Sequence, residues 1–498
     1  MRDRTWRRAT AEGLARVREL LLERGATEDK ELKNPYELWR VRIEGTVFTG
    51  YQTGSIYCNG GKIPELPFLY EEISKLLDQV SEVPTAKTLI GLDETGKGEV
   101  LGHAALAAAR IDAVVLRQVE ATVGSIDTKK RKEFAFWDKV IRELDGLRGR
   151  GLEFELETIP PWDVDRFNIN RIQDVVYQRL LGRILRGVDP GTCRIIVDDY
   201  GIGKNLSEYL GFLHKAGAEV RVEAKADENY TEVRAAAIVA KWRRELAMKR
   251  INEKFSFVDT PVGSGNAGDP LTVAWLARWK ATNQPWPWFV KTSYSTIRDL
   301  DGKTGRAHKE DPPIRHELLS EDSARSFREG TLSTASLTVV CPSCGTISAA
   351  CKLTPEPSGE LVGRCVGCNE IIQDLDTTLR YYCGAITPDA DVIIAGVISK
   401  DLDKKGFFGG FAFLLHPVVR KETDTPGGKS ELARLGDFAA MGRIGLDAIA
   451  GIVAKDSVDR DAIVIDAAKS NDSILLTRDK GMYGNAVAAR VFCLTMRT

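Results

Sequence analysis

The sequence lacks an excess of either charge: 70 Lys and Arg stand against 71 Asp and Glu in 498 residues, a formal net charge of −1. Overall basicity therefore identifies no nucleic-acid partner, and any basic groove must arise from local clustering. A hydrophobic run of bilayer length is also missing. The longest stretch without charge, Gly330 to Cys351, is dominated by Ser, Thr, Gly and Cys, Gly45 to Gly61 is as polar, and Gly406 to Val419 is too short. No membrane partner is expected. Arg2, Asp3, Arg4, Arg7 and Arg8 are followed by no apolar core, so no signal peptide is expected and the expected location is cytoplasmic. Histidine is scarce, and His103, His214, His308, His316 and His416 form no ligand-spaced pair. Cysteine is too sparse and odd in number, at nine, for a disulfide scaffold.

What is present is a globular composition, 43% apolar and 28% charged, in a length that fits about three domains. Thr10 can cap a helix carrying Leu14, Val17 and Leu21 up to Gly25, and 1–29 is read as an N-terminal helix. Alternation around Gly45 and Gly50 predicts a strand meander over 36–60, followed by a helix at 69–80. A larger unit over 86–300 opens with a strand at 88–92. It continues with helices at 134–147 and 170–186, a buried strand at 194–197 and a long helix at 233–252. Residues 301–334 show no sustained period and are read as a linker. A cysteine unit at 335–380 and an α/β unit at 388–498 complete the chain, giving a multidomain α/β and α+β architecture.

The segment Asp93-Glu94-Thr-Gly96-Lys97-Gly98 ends an apolar strand in two acids and a glycine-rich turn. Alternating strand residues face opposite ways, so Asp93 and Glu94 share a site only where the strand breaks. Asp198 and Asp199 end a second apolar strand, and Asp227 precedes the helix carrying Ala235, Ala236, Ala237 and Lys241, whose small residues let it lie close to the sheet. Four carboxylates without counter-charges repel one another, and Mg²⁺ or Mn²⁺ resolves that repulsion. Two such ions activate water and stabilise the leaving oxygen in phosphodiester cleavage. The near P-loop Gly91 to Lys97 is set aside, because Gly98 replaces the Ser or Thr needed for Mg²⁺ and the acids repel phosphate. Ordinary solvation of a strand end explains Asp93 and Glu94 alone, but not the further acids.

These residues resemble the Asp-Glu-x-Gly-x-Gly signature of the type 2 ribonucleases H. Asp227, fourteen residues before Lys241, resembles that family's last acid, and Ser125 to Lys130 its Asp-Ser-Lys-Lys segment. Phe289 to Lys291 with Thr296 resembles the tail of ribonuclease HIII. The 30–85 region, with Tyr51-Gln-Thr-Gly-Ser, resembles the TATA-binding-protein-like substrate domain preceding ribonuclease HIII. The resemblance implies a ribonuclease H-like mixed sheet and metal-dependent cleavage of the RNA strand of RNA/DNA hybrids. Asp93, Glu94, Asp198 and Asp227 would be the ligands, with Asp199 the fallback for Asp198. The Gly96, Lys97 and Gly98 backbone would lie near a ribose 2′-hydroxyl. Lys97 stands where other members vary, which leaves junction preference open.

Cys341-Pro-Ser-Cys344 and Cys365-Val-Gly-Cys368 have the spacing of two knuckles closing a structural Cys₄ zinc site, whereas a redox dithiol needs only one pair. In the last unit, a strand is expected over 391–395, Glu422 follows a short apolar run, Asp461 opens a helix, and Thr477 precedes Asp479. This order resembles a PIN nuclease domain, implying Mg²⁺ or Mn²⁺ at Glu422, Asp461 and Asp479 and single-stranded RNA as substrate. The first PIN acid is expected directly after the strand, where Ala395 stands, so this site is expected to be disabled or degenerate. The alternative to a nuclease is a nucleic-acid-binding toxin–antitoxin or phage-defence protein with vestigial hydrolysis. Protein partners, oligomeric state and pathway are not legible.

Overall fold

The computed structural model describes residues 4–6, 9–59, 65–80, 86–124, 126–128, 132–310, 314–330, 333–404, 406–451 and 457–496. The chain divides into two compact units, Met1–Lys87 and Thr88–Thr498. Ser125, Lys129 and Lys130 of the lysine segment lie outside the described residues.

The first unit is a five-stranded antiparallel sheet of β1 (Arg4–Trp6), β2 (Thr27–Glu28), β3 (Glu37–Ile43), β4 (Thr46–Tyr51) and β5 (Ile56–Cys58), in the order β1-β5-β4-β3-β2. Alternation sends Trp39 and Val41 inward and leaves Leu38 exposed. The inward residues share a core with Leu14, Val17 and Leu21 of the helix Ala11–Glu23 and with Leu69, Tyr70 and Ile73 of the helix Leu66–Val80. Thr10 caps the first helix, its hydroxyl accepting from Gly13 N at 2.9 Å. The stretch 1–29, expected as a separate helix, belongs to this unit, because β1 pairs with β5 and Trp6 is buried in the same core.

The second unit holds two main sheets. The first orders β10 (Glu219–Glu223), β9 (Cys193–Asp198), β6 (Thr88–Thr95), β7 (Ala104–Asp112) and β8 (Leu152–Ile159), with β10, β9 and β6 parallel and β7 and β8 antiparallel. The second has seven strands in the order β14-β13-β19-β18-β15-β16-β17. They are β13 (Ala350–Pro355), β14 (Leu361–Cys365), β15 (Ala385–Pro388), β16 (Ala412–Leu415), β17 (Gly445–Ala448), β18 (Ile474–Thr477) and β19 (Cys493–Thr495). A short pair, β11 (Val339–Val340) and β12 (Ile347–Ser348), flanks the first cysteine knuckle. Apolar side chains from both main sheets form one continuous core. No helix among the described residues is long and apolar enough to cross a membrane.

Three expectations are corrected. Residues 301–334 are not a bare linker: they include the helix Glu321–Arg328, and Ile314, Leu318, Leu319 and Phe327 are buried in the shared core. Burial without period left no sequence pattern to read. The cysteine unit is not a free-standing ribbon, because β13 of its hairpin pairs in parallel with β19, Ala350 facing Cys493. Residues 391–395 are not a strand. The strand is β15, it ends at Pro388, and Asp389 caps the helix Ala390–Ile394. A short apolar run cannot by itself separate buried strand from buried helix.

Candidate active site

Strand β6 runs unbroken through Asp93 and Glu94, pairing with β7 as far as Thr95, while its pairing with β9 ends at Leu92 and Val197. The expected break is absent, and the two acids leave opposite faces of one strand; past the end of the β9 pairing Asp93 still senses Glu94, and both sense Asp198. Asp93 shares the face of Gly91, where an added Cβ would sit 2.3 Å from Val233 N and 2.2 Å from the Glu232 carbonyl carbon. That close approach seats the helix Thr231–Phe255 on the sheet, with Ala235, Ala236 and Ala237 buried, as its small residues predict. The same packing brings Asp227, in the single-turn helix Ala226–Asn229, towards Asp93. Asp198 ends β9 and accepts from Ala226 N at 2.6 Å. Its neighbour Asp199 turns to its own loop and accepts from Gly201 N at 2.8 Å.

Burial, reinforced by Glu94, Asp198 and Asp227, holds the Asp93 carboxyl well above the ordinary range. Burial also raises Glu94, against the opposing pull of Lys97 and of the Tyr177 hydroxyl, which donates at 3.0 Å. Asp93 thus lies within electrostatic reach of Glu94, Asp198 and Asp227. Hard carboxylate oxygens that resist ionising together are the donor class that a divalent cation of the Mg²⁺ kind takes. Lys97 lies beside them, its Nζ 5.2 Å from the Tyr200 ring and 3.3 Å from the Tyr200 carbonyl, and burial lowers its ammonium.

Sequence reasoning missed the support around this set. Tyr177, Gln173 and Asp174 come from the helix Ile169–Ile184, where Asp174 accepts from the Tyr200 hydroxyl at 2.9 Å and from Gly203 N at 2.9 Å. The helix also carries Asn170, Arg171, Gln178, Arg179 and Arg183, so nothing in its sequence set these residues apart.

The four cysteine sulfurs of Cys341, Cys344, Cys365 and Cys368 lie within 4.8 Å of one another, with Cys341 to Cys368 at 3.7 Å and Cys344 to Cys365 at 3.8 Å. Tetrahedral thiolates at about 2.3 Å from a zinc ion stand about 3.8 Å apart. The donor set and its spacing fit such an ion. Hydrogen bonds at Thr346 draw the Cys344 thiol down to about 6.

In the C-terminal part, Asp461 lies within electrostatic reach of Asp479, Glu422 and Asp391. Asp389, not Ala395, follows the strand. Burial pushes Asp389 up to about 6, Asp391 and Asp461 add to the rise, and the Thr477 hydroxyl donates to it at 3.0 Å. Partial burial raises Asp461, followed by Asp479, Glu422 and Asp391. Asp479 caps the helix Lys480–Ala488, and Glu422 pairs with Arg460 at 2.9 Å. Ala395 ends the helix Ala390–Ile394, so it does not stand directly after a strand as expected.

The sequence pattern of the ribonuclease HII family matches residues 90–297. Ribonuclease HII of Aeropyrum pernix is 30% identical over 216 residues, covering 43% of this chain and 90% of that protein. Ribonuclease HII of Thermococcus sibiricus is 29% identical over 223 residues, covering 43% and 91% respectively. The solved structure of Bst-RNase HIII in complex with Mn²⁺ aligns at 15% identity with a TM-score of 0.37, covering 60% of this chain and 98% of that one.

Proposed function

Given that the chain belongs to the ribonuclease HII family through residues 90–297, we propose that it is a metal-dependent endoribonuclease cutting the RNA strand of RNA/DNA hybrids. The observation that carries this reading is Asp93, buried on β6 just past the end of its pairing with β9, where Asp198 ends the neighbouring strand, with burial first and then Glu94, Asp198 and Asp227 raising its carboxyl. Asp93, Glu94, Asp198 and Asp227 would hold Mg²⁺ or Mn²⁺, which when bound supplies Lewis-acid activation of water and stabilisation of the leaving oxygen. The Tyr177 hydroxyl orients Glu94, and the Ala226 N–H fixes Asp198. Lys97 offers a positive charge beside the carboxylates for a phosphodiester, and the Gly96–Gly98 turn meets the ribose 2′-hydroxyl, the group that separates RNA from DNA. The products are 3′-hydroxyl and 5′-phosphate ends. The first unit acts as a TATA-binding-protein-like substrate domain of the ribonuclease HIII kind. A panel of hybrid, single-ribonucleotide duplex, double-stranded RNA and single-stranded RNA, each with Mg²⁺ and Mn²⁺, tests this. Hybrid cleavage dependent on the ion is expected, and a chain inert on every hybrid contradicts it.

The cysteine site holds zinc in this reading and fastens the β13–β14 hairpin to the seven-stranded sheet. Metal analysis is expected to find about one zinc per chain. Cys368→Ser is expected to release it and lower the melting temperature, and unchanged zinc content contradicts the assignment.

A second reading, favoured by the raised Asp389 at the end of β15, is a PIN-like nuclease site of Asp389, Glu422, Asp461 and Asp479 acting on single-stranded RNA with Mg²⁺ or Mn²⁺. In an Asp93→Asn background, Mn²⁺-dependent cleavage of single-stranded RNA is expected to persist. Adding Asp389→Asn is expected to remove it, and cleavage that survives both substitutions contradicts the assignment.

A further inference from the structure

Residues 289–294 grip the turn between β6 and β7 from beneath. Lys291 N donates to Val100 O at 2.9 Å and Gly102 N to Phe289 O at 2.7 Å, so this segment lies beside 100–102, with Leu101 bridging Val290. From that anchored position the fully buried Lys291 ammonium donates to the Gly96 carbonyl (2.5 Å) and the Glu99 carbonyl (2.7 Å). The Tyr294 hydroxyl donates to the Lys97 carbonyl. Three carbonyls of one short turn are thus held from the same segment.

In a trans peptide the carbonyl and the following N–H point opposite ways. The Lys97 and Gly98 N–H groups are therefore directed away from Lys291 and Tyr294, and among the described residues no hydrogen bond engages either. Gly96 needs to be glycine for internal reasons, with φ +87° and an added Cβ only 2.6 Å from the His103 carbonyl oxygen. Gly98 does not: it is exposed, and an added Cβ would meet nothing within 4 Å. Bare backbone beside two outward donors fits close approach by an oxygen from outside the protein.

We propose that Lys291 and Tyr294 are positioning residues that hold the carbonyls of the Gly96–Glu99 turn inward and so aim the Lys97 and Gly98 N–H groups at an acceptor oxygen of a ribose-phosphate strand. This deepens the ribonucleotide reading of the turn and rests on it. A buried ammonium is costly where an apolar side chain of similar volume would pack. Burial, reinforced by Arg244, pushes Lys291 down to about 7 against the pull of Glu99 and Asp165, with Lys309 also lowering it.

The full chain carrying Lys291→Met or Tyr294→Phe tests the clamp. Anisotropy with Ca²⁺ present compares binding of an RNA/DNA hybrid with that of a DNA duplex of the same sequence, alongside steady-state cleavage with Mn²⁺ and melting temperature. The unsubstituted chain is expected to prefer the hybrid. Lys291→Met is expected to raise KM for the hybrid about a hundred-fold and Tyr294→Phe about ten-fold, with kcat changed less than about three-fold and the hybrid preference reduced in both. Tyr294→Phe removes a single hydroxyl and decides the matter if Lys291→Met does not fold. A folded variant of either kind with unsubstituted KM and unsubstituted preference overturns the proposal, as does an unsubstituted chain that binds both duplexes alike. A chain that prefers the hybrid without cutting it, and loses that preference in the variants, sinks the cleavage reading and leaves the clamp standing.

Discussion

Asp93→Asn is expected to cut hybrid cleavage by about a thousand-fold or more, equivalent to about 4 kcal/mol of transition-state stabilisation, while leaving hybrid binding intact. The substitution keeps shape and keeps an oxygen to accept from Glu94 N, which Asp93 does now at 2.7 Å. What it removes is one negative charge from the centre of the carboxylate set. Stability of the metal-free protein should move the other way. Because burial and three neighbouring acids raise Asp93 in the folded state, its ionised form is disfavoured there relative to the unfolded chain. Metal-free stability is therefore lost as pH rises from the ordinary Asp range through the raised value, and Asn is spared that loss. Metal-free Asp93→Asn is thus expected to melt above the unsubstituted chain at pH 8, with the gap closing towards pH 4. Cleavage retained in metal-saturating buffer, or a lower metal-free melting temperature at pH 8, would remove Asp93 from the site.

The parts of this site legible in the sequence are those set by local rules. A strand ending in acids, a helix of small residues and two cysteine knuckles each announce themselves within a few positions, and β6, the helix Thr231–Phe255 and the thiol cluster lie where those rules put them. What the local pattern leaves without a role depends on partners far along the chain. Lys291 gains its meaning only from carbonyls at 96 and 99, and Tyr177 only from Glu94. The acid at the end of β15 was misplaced for a different reason. Val392, Ile393 and Ile394 read equally well as strand or helix, and only the pairing of β15 with β16 and β18 settles that the strand stops before Asp389. With the strand ending at Pro388, the residue directly after it is Asp389 and not Ala395. Residues 301–334 escaped because irregular chain can bury Ile314 and Leu319 without repeating any spacing, and the helix Glu321–Arg328 is only eight residues long.

Asp163→Ala is expected to lower the unfolding free energy of the second unit by about 3–5 kcal/mol. Asp163, in the helix Pro161–Arg166, accepts from Arg380 Nη2 at 2.9 and 2.8 Å and from the Tyr381 hydroxyl at 2.5 Å, and all three side chains are buried. Arg380 and Tyr381 belong to the helix Leu375–Tyr382, which leads into β15, so this contact fastens the family-matched region to the seven-stranded sheet. Removing the carboxylate leaves a guanidinium in the core whose Nη1 still donates to the Gly409 carbonyl at 2.7 Å and stands 3.9 Å from Asp376, whose Nη2 keeps only Thr377 at 3.5 Å, and whose Nε has no hydrogen-bond partner among the described residues. The cost comes from that stranded charge rather than from the lost pair, because a buried pair gains little over a well-packed apolar one. The double substitution Asp163→Leu with Arg380→Met is accordingly expected to recover most of the stability that Asp163→Ala loses. Urea unfolding followed at unchanged slope reads both quantities. A single substitution costing under about 1 kcal/mol would mean that water reaches the pair, and a double variant no better than the single one would mean that the loss lies in packing rather than in charge.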